Sequence, residues 1–594
     1  GFGFYLSGDT LPSAKSISAL LNSMPDWRES HSPIFAVRGA LPWLDKFCGA
    51  ATWSAADYRH WVDQLVRMRY NLMVFHLSEQ DPFAAYDSSL NFPQELHTQK
   101  LADGQKSGAP ASGVLSAARD LFERRNELYR NAQEDLRQAL AYAKMRGRAT
   151  GIGLEVTGDP FEPRVQHDLE TRVKTLLASY PQLDYLWLWQ PEHYALQYPP
   201  DPPRDSLLRS YRDRWASQLQ GVGDASRRLE AVRLVAFALQ VNRLLEAYRP
   251  DVRLVVAGWG SRETAGFGSY LAFLDKLLPK DVVLTAVDSL PASPVIGDVF
   301  EKVSREREKW PVLALEYDGD LWMPQPNAYE IGGACRDTWV KGCPGVIALH
   351  WRVRDPEESA AYVSRFAWNP DLSIEDFYRR YVRDVYGESF EKDLFPVLLD
   401  LQQLGYRWVG GLGQNESGVF AWTPGEKHKV DQLNQASFKL RNLSKAPSLA
   451  QSITQISFKA IGGKINTPMS VNAPPALADL LAYIDFVLAY DRAANDFRSG
   501  GALDELLSAE RSEEARTLVQ NSSLLPAFRL YASRIRNKSE LGVLTSLITR
   551  TTADLRSRLS LEPEEELFGV LQDTEKKETP ELHVLPDRVL VTGV

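Results

Sequence analysis

The chain of 594 residues lacks several features that define particular protein classes. Its three cysteines fit neither a metal-binding motif nor a disulfide framework, although an oxidising compartment would allow Cys335 and Cys343 to pair. No apolar run reaches the roughly 18 residues of a membrane-spanning helix. The first residues also lack the basic and apolar segments of a signal peptide. The compartment stays open, with cytoplasmic and periplasmic or secreted locations both compatible.

Long clusters of lysine and arginine are missing as well, and the net charge is -9. Because binding to phosphate backbones or anionic lipids depends on such clusters, neither a nucleic-acid nor a membrane partner is expected. The motifs GxxxxGK[ST], HExxH and CxxC are absent, and the segment 258–261 does not match the nucleophile elbow GxSxG. We therefore expect no cofactor and no metal.

What the chain does contain is a soluble-type composition with an unusual aromatic share. Hydrophobic residues make up 44% and charged residues 24%, and there are 15 tryptophans. An indole ring stacks well on the C–H face of a sugar, so the tryptophans point weakly to carbohydrate, although many of them serve an ordinary core.

Eight short apolar runs recur between residues 34 and 351, mostly separated by segments with helical periodicity. This alternation indicates a parallel sheet, and the count favours a (β/α)8 TIM barrel over the competing doubly wound sheet. The predicted strands are Ile34–Gly39, Asn71–Leu77, Thr150–Val156, Asp184–Gln190, Val252–Gly258, Val282–Asp288, Val312–Glu316 and Val346–Trp351. Between them, Ala56–Arg69 and Gln133–Arg146 have the spacing of sheet-covering helices.

The pattern also predicts how the chain divides. Residues 1–30 are expected to be the end of a small α/β domain or a lead-in, and 31–370 the barrel. Residues 371–562 are expected to form an α-helical domain, and 563–594 a tail with a short strand near Val589–Val591. Long loops after the second and fourth strands, 78–116 and 191–226, are typical of a substrate pocket.

Side chains at the carboxyl ends of barrel strands converge on one pocket, so they are the functional candidates. In chain order these are Arg38, Trp43, His76, Glu155, Trp189, Glu192, Trp259, Asp288, Glu316, Asp318, His350, Trp351 and Arg352. Each of them taken alone is also compatible with a cap or a salt bridge.

A pair of carboxyl groups is what glycosidic cleavage requires, one to protonate the leaving oxygen and one to attack the sugar or activate water. Glu192 and Glu316 each follow an apolar strand, and burial favours a raised carboxyl pKa, so Glu192 is predicted to be the acid. Glu316 is then the nucleophile or base. Asp288 is a second base, a hydroxyl acceptor or a turn residue, and salt bridges are the alternative for both glutamates.

The remaining candidates concern substrate recognition. Glu155 and His76 are predicted to bind sugar hydroxyls, and Arg38 or Arg352 in the pocket would select a carboxylate, hence a uronic acid. An alternative is that His76, Glu155, Glu192 and Asp288 meet around a metal.

Short motifs resemble the α-glucuronidase type of glycoside hydrolase, families 67 and 115, and more distantly family 20. They are Gly8-Asp9-Thr10-Leu11-Pro12, Arg38-Gly39, Met68–Asn71 with Phe75-His76, and Phe366–Ser373 after the last strand. The resemblance implies a barrel glycosidase with an accessory helical domain. It also implies catalysis by Glu192, Asp288 and Glu316. Pro191 departs from the Asn-Glu pattern of the wider clan, which leaves the retaining mechanism open.

Together these observations predict a glycoside hydrolase, exo-acting, on an oligosaccharide or polysaccharide that contains uronic acid, with a homo-oligomer as a further possibility. The alternatives are a non-catalytic carbohydrate-binding protein on a barrel scaffold and a metal-assisted barrel hydrolase or lyase.

Overall fold

A computed structural model provides the structure of this protein. It describes residues 31–43, 50, 53–77, 131–191, 206–260, 266–288, 293–316, 325–353, 356–405, 408, 422–444, 475–532, 538–561, 581–584 and 589–592. The predictions for 1–30 and for the long loop 78–116 lie outside these residues.

Eight parallel strands form a closed barrel in chain order. They are β1 Val37–Pro42, β2 Leu72–Leu77, β3 Ala149–Glu155, β4 Tyr185–Trp189, β5 Arg253–Ala257, β6 Val283–Asp288, β7 Lys309–Ala314 and β8 Gly345–His350. Closure occurs where β1 pairs with β8 in parallel, from Val37 opposite Gly345 to Pro42 opposite His350. This confirms the predicted TIM barrel and excludes the open sheet.

The first strand lies three residues further along the chain than predicted. Ile34 and Phe35 were expected to begin it because they are apolar, but they pack beneath the barrel instead. The Ile34 amide donates to the Ala367 carbonyl at 2.8 Å, and the Phe35 ring lies 6.4 Å from the Phe366 ring. The predicted start of β1 was therefore wrong, since apolar character alone does not separate a strand from a segment buried below it.

Helices cover the outside of the barrel. They are α1 Ala55–Arg67, α2 (131–145 as described), α3 Pro163–Ser179, α4 Leu207–Arg214, α5 Ala225–Tyr248, α6 Leu271–Leu277, α7 Val299–Lys302, α8 Ala328–Val340 and α9 Glu357–Phe366. A 3₁₀ turn, Phe267–Tyr270, leads into α6. The two helices predicted between strands, Ala56–Arg69 and Gln133–Arg146, are confirmed within two residues at each described end.

Local sequence explains why α1 begins where it does. Ser54 caps it by accepting a hydrogen bond from the Asp57 amide, and Asp57 accepts one from the Ser54 amide, at 3.3 and 2.9 Å. Such a reciprocal box satisfies two amides that otherwise lack helical partners. Trp61 and Leu65, one turn apart, bury the inner face against the sheet.

The barrel interior depends on pairing tryptophan with glycine on neighbouring strands. Trp187 and Trp189 of β4 are fully buried and project across β3, where Gly151 and Gly153 leave room. A Cβ atom at Gly153 would lie 2.6 Å from the Trp189 indole. Two large rings fit inside an eight-stranded barrel only because the adjacent strand has no side chain at these positions.

A helical region follows the barrel. Its helices are α10 Ile374–Val385, α11 Glu391–Gln402, α12 Lys427–Ser444, α13 Pro475–Phe497, α14 Ala502–Ser508, α15 Ser512–Gln520, α16 Leu524–Ala532 and α17 Lys538–Arg558. A 3₁₀ turn, Glu388–Phe390, precedes α11. Ser373 caps α10 by accepting from the Asp376 amide at 3.0 Å. Barrel followed by helices agrees with the predicted order, while the domain limits stay predictions.

Two further expectations can be compared with the structure. The tail contains the antiparallel pair β9 Glu581–Val584 and β10 Val589–Thr592, and β10 coincides with the strand expected near Val589.

Cys335 and Cys343 are buried free thiols, so the pairing allowed by an oxidising compartment is not formed. Within the described part of the chain, no helix is both long and apolar enough to cross a bilayer.

Candidate active site

Side-chain alternation decides which of the predicted residues face the barrel interior. Leu72 and Val74 of β2 belong to the interior cluster, so His76 at the same parity points inward. On β3 the inward positions are Gly151 and Gly153, whose Cβ atoms would meet the interior tryptophans. Glu155 continues that row at the carboxyl end.

Two tryptophans contact His76 at this end, and a third tryptophan contacts both of them. The Trp43 ring stacks on the imidazole with centroids 4.2 Å apart, and Trp189 meets it edge-on at 5.0 Å. Trp259 lies 5.0 Å from Trp43. The strand ends of β1, β2, β4 and β5 thus bring four predicted site residues into one aromatic cluster. Aromatic rings beside polar groups are a usual feature of sugar-binding sites. Here Trp43 meets Trp189 and Trp259 nearly edge-on, and Trp43 and Trp189 are buried.

One carboxylate contacts this cluster. Nε2 of His76 lies 3.2 Å from Oε1 of Glu155, and the Glu155 side chain is 22% exposed while that of His76 is 3% exposed. A neutral imidazole that donates from Nε2 leaves Nδ1 as an acceptor. Among the described residues this buried Nδ1 has no hydrogen-bond partner, and neither has Nε1 of Trp189 or Trp351. All three atoms are buried. A Cβ atom at Gly153 would lie 2.6 Å from Nε1 of Trp189 and 3.2 Å from Nδ1 of His76, so these two atoms face strand β3.

Glu316 occupies a different environment from the one predicted for a nucleophile. Its Oε1 accepts from the amides of Trp351 and Arg352, both at 2.7 Å. Its Oε2 accepts from Nε of Arg352 at 2.7 Å, and both side chains are 1% exposed. The Arg352 guanidinium also donates to the Tyr483 hydroxyl of α13 at 3.3 Å. The pair joins β7, the end of β8 and the helical region, which matches the salt-bridge alternative.

The position of Arg38 corrects the prediction that this residue lies in the substrate pocket. It is the second residue of β1, at the amino end of the barrel, because the strand starts later than predicted. Its guanidinium donates to the carbonyls of Phe35 at 2.6 Å and Arg69 at 2.9 Å. It therefore lies at the opposite end from the aromatic cluster.

His350 faces outward from β8. Its neighbours in the same row, Val346 and Ala348, belong to the outer core cluster, and its ring lies 5.9 Å from Trp61 of α1. Nδ1 donates to the Arg352 carbonyl at 2.7 Å, and burial lowers the pKa of this imidazole. Trp351, one residue later, belongs to the interior cluster. The expectation that His350 lines the pocket beside Trp351 is corrected accordingly.

Three predicted residues remain predictions. Glu192 and Asp318 lie outside the described residues. Asp288 is the last residue of β6, and its side chain also lies outside the described part. Metal binding finds no support in the described part, where no group of three or more His, Cys, Asp or Glu side chains is suited to a metal ion.

Sequence reasoning missed a buried ion pair on α5, the long helix between the fourth and fifth strands. Glu230 and Arg233 of α5 are 3.2 Å apart with 4% and 1% exposed side chains, and Arg233 donates to the Gly158 carbonyl after β3 at 2.9 Å. Burial raises the pKa of Glu230 to about 7, with Arg233 opposing the shift. The available signal was two opposite charges three residues apart inside an apolar helical run.

Comparisons with known proteins found similar solved structures but no match to a family model or a curated protein. A family 115 4-O-methyl-α-glucuronidase with specificity for decorated arabinogalactans is 13% identical, with a TM-score of 0.47 and coverage of 93% of this chain and 66% of its own. A family 138 enzyme that targets pectin rhamnogalacturonan II is 11% identical, with a TM-score of 0.45 and coverage of 89% and 65%.

A mutant of the Thermobaculum terrenum O-GlcNAc hydrolase is also similar, with 12% identity, a TM-score of 0.44 and coverage of 88% of this chain and 95% of its own. The family 115 and 138 matches each span less than two thirds of the solved enzyme. The family 115 group suggested by the sequence motifs is thus among these structural neighbours. Identity this low leaves the activity to be argued from the site.

Proposed function

We propose that this protein is a glycoside hydrolase that binds an oligosaccharide or polysaccharide at the carboxyl end of its barrel. The observation that carries the proposal is the cluster of Trp43, Trp189 and Trp259 around the His76–Glu155 contact. Indole faces suit the C–H face of a sugar ring, while the imidazole and carboxylate suit its hydroxyls. Barrel enzymes place their chemistry at this end.

For the two carboxyl groups we assign the acid role to Glu192, as its position after the fourth strand predicts. The second role fits Glu155 better than Glu316. A base or nucleophile needs an oxygen that the substrate can reach, and Glu155 is 22% exposed, whereas Glu316 is 1% exposed and accepts three hydrogen bonds. Asp288, at the end of β6, is assigned to a sugar hydroxyl.

The finer substrate assignment changes with the arginines. Arg38 is at the amino end and Arg352 is paired with Glu316, so neither guanidinium supports selection of a uronic acid. We propose that both are structural and that a neutral glycoside is turned over at least as well as the matching uronide. Exo action stays a proposal, because the predicted loop 78–116 lies outside the described residues and α4 occupies part of the predicted loop 191–226.

The test is a panel of aryl glycosides and aryl uronides with variants Glu192→Gln and Glu155→Gln. Loss of the acid should cost most with poor leaving groups, whereas loss of the second carboxylate should cost with every substrate. Glu134→Gln, an exposed carboxylate on α2 with a 42% exposed side chain, is the matched control. Full turnover by Glu155→Gln would return the second role to Glu316 or Asp288.

A second function is a carbohydrate-binding protein without turnover, favoured by the capture of Glu316 in a structural ion pair. Sugar binding with no hydrolysis of any panel member would establish it. Loss of hydrolysis on chelation would instead indicate the metal-assisted alternative.

A further inference from the structure

A cavity lies at the amino end of the barrel, the opposite end from the aromatic cluster. It has a volume of about 320 Å³ and is lined by the end of α1, by α9, by the segment between α9 and α10, and by α10. This size is in the range of small-ligand pockets. We call it the amino-end cavity.

Arginines dominate the lining of the amino-end cavity. Arg67, Arg69, Arg365 and Arg380 line it, and none of the described lining residues is acidic. One carboxylate, Asp384, is shared by two of the guanidiniums, at 3.1 Å from Arg365 and 3.6 Å from Arg380. This accumulation occurs in a chain whose net charge is -9, so it is not a consequence of overall composition.

The Trp368 ring, which lines the cavity, holds two guanidinium groups beside it. Arg69 lies 4.6 Å from the centroid of Trp368, and Arg38 lies 5.4 Å from the same ring. An indole face attracts guanidinium groups and holds their planes in place. Burial lowers the pKa of Arg38, and the charges of Arg148 and Arg69 contribute to this shift.

The end of α1 places Arg69 at the cavity. Its φ angle is 67°, in the left-handed region that commonly ends a helix. The Arg69 amide donates to the Val66 carbonyl at 3.0 Å, and the Tyr70 amide donates to the Leu65 carbonyl at 2.9 Å. This termination of α1 puts Arg69 in the lining of the cavity.

We propose that the amino-end cavity binds a small molecule carrying two or more oxyanion charges, on phosphate or carboxylate groups. Guanidinium forks match both groups with paired hydrogen bonds. The site is separate from the proposed sugar site and does not depend on its chemistry. A multivalent anion would contact guanidinium groups from the end of α1, from α9 and from α10, so it would bind at their junction.

Calorimetric titration with pyrophosphate and with citrate at constant ionic strength tests this proposal and separates the two sources of charge. Wild-type protein should bind at least one of them. The double variant Arg69→Gln/Arg380→Gln should bind at least about tenfold more weakly, because each lost guanidinium removes charge-assisted hydrogen bonds. Glutamine in place of Arg69 meets the same left-handed backbone demand as arginine, so the strain is unchanged.

Arg379→Gln is the matched control. Arg379 precedes Arg380 on the same helix, lies 3.6 Å from Glu391 and 4.1 Å from the Phe395 ring, and does not line the cavity. Its replacement removes the same charge, and this variant should bind like wild type. If the double variant unfolds, Arg380→Gln alone should still weaken binding about threefold or more. Equal affinity in wild type and the cavity variants, or no binding of either anion at millimolar concentration, would overturn the proposal.

Discussion

The two ends of the barrel use polar side chains in opposite ways. At the amino end, Arg38 donates to backbone carbonyls of Phe35 and Arg69 and is 7% exposed. At the carboxyl end, His76 contacts Glu155 while its Nδ1 has no partner among the described residues. The guanidinium of Arg38 is held by the backbone, whereas the Glu155 carboxylate is 22% exposed and can be reached by a ligand. Burial alone therefore does not identify a site.

The largest effect on the free energy of unfolding is expected for the buried ion pair of Glu316 with Arg352. Arg352→Met leaves a carboxylate uncompensated at 1% exposure and should lower the free energy of unfolding by about 3–5 kcal/mol. Urea denaturation measures this change in the free energy of unfolding. The double variant Glu316→Gln/Arg352→Met should recover part of the loss, since no buried charge then remains. A single variant as stable as wild type would show that the pair is not structural.

Arg38→Met should separate stability from activity. It leaves the carbonyls of Phe35 and Arg69 without their donor and should cost about 2–4 kcal/mol of unfolding free energy. Turnover per folded molecule should not change, because Arg38 lies at the amino end. Melting temperature and kcat measured on one preparation provide the check. A large fall in kcat without loss of stability would contradict the assignment of Arg38 to architecture.

His76→Phe should lower activity and leave stability nearly unchanged, the opposite of Arg38→Met. Phenylalanine keeps an aromatic ring stacked against Trp43 but removes the hydrogen bond to Glu155. We expect kcat/KM to fall about ten- to a hundredfold with little change in melting temperature. The loss should appear with every substrate of the panel, since Glu155 loses its oriented donor. If stability falls while kcat/KM per folded molecule is unchanged, His76 is a packing residue.

The smallest effect concerns Glu230. Its folded pKa of about 7 exceeds the ordinary value of 4.5, so the folded state holds the proton more tightly. Stability should therefore decline as pH rises from about 4.5 to about 7, by roughly 1–3 kcal/mol. Glu230→Gln cannot ionise and should flatten this part of the curve, measured by urea denaturation across the window. Parallel curves for both proteins would contradict the raised pKa.

The number and order of the strands follow from the sequence alone. Alternating apolar runs and helical segments specify a parallel sheet, and eight such units close it. It also indicated the Trp, His and Glu residues at the carboxyl end, since the ends of β2 to β5 were placed within one residue. The helix after Ser373 was equally readable, because a serine cap followed by acidic residues is a local signal.

Tertiary structure decided which way each residue faces and which groups meet. A strand has a period of two, so one residue separates interior Trp351 from outward His350. A shift in the start of β1 moved Arg38 to the other end of the barrel. The pairing of Glu316 with Arg352 joins residues 36 positions apart. Local sequence does not encode such contacts, because they depend on the register between neighbouring strands of the closed barrel.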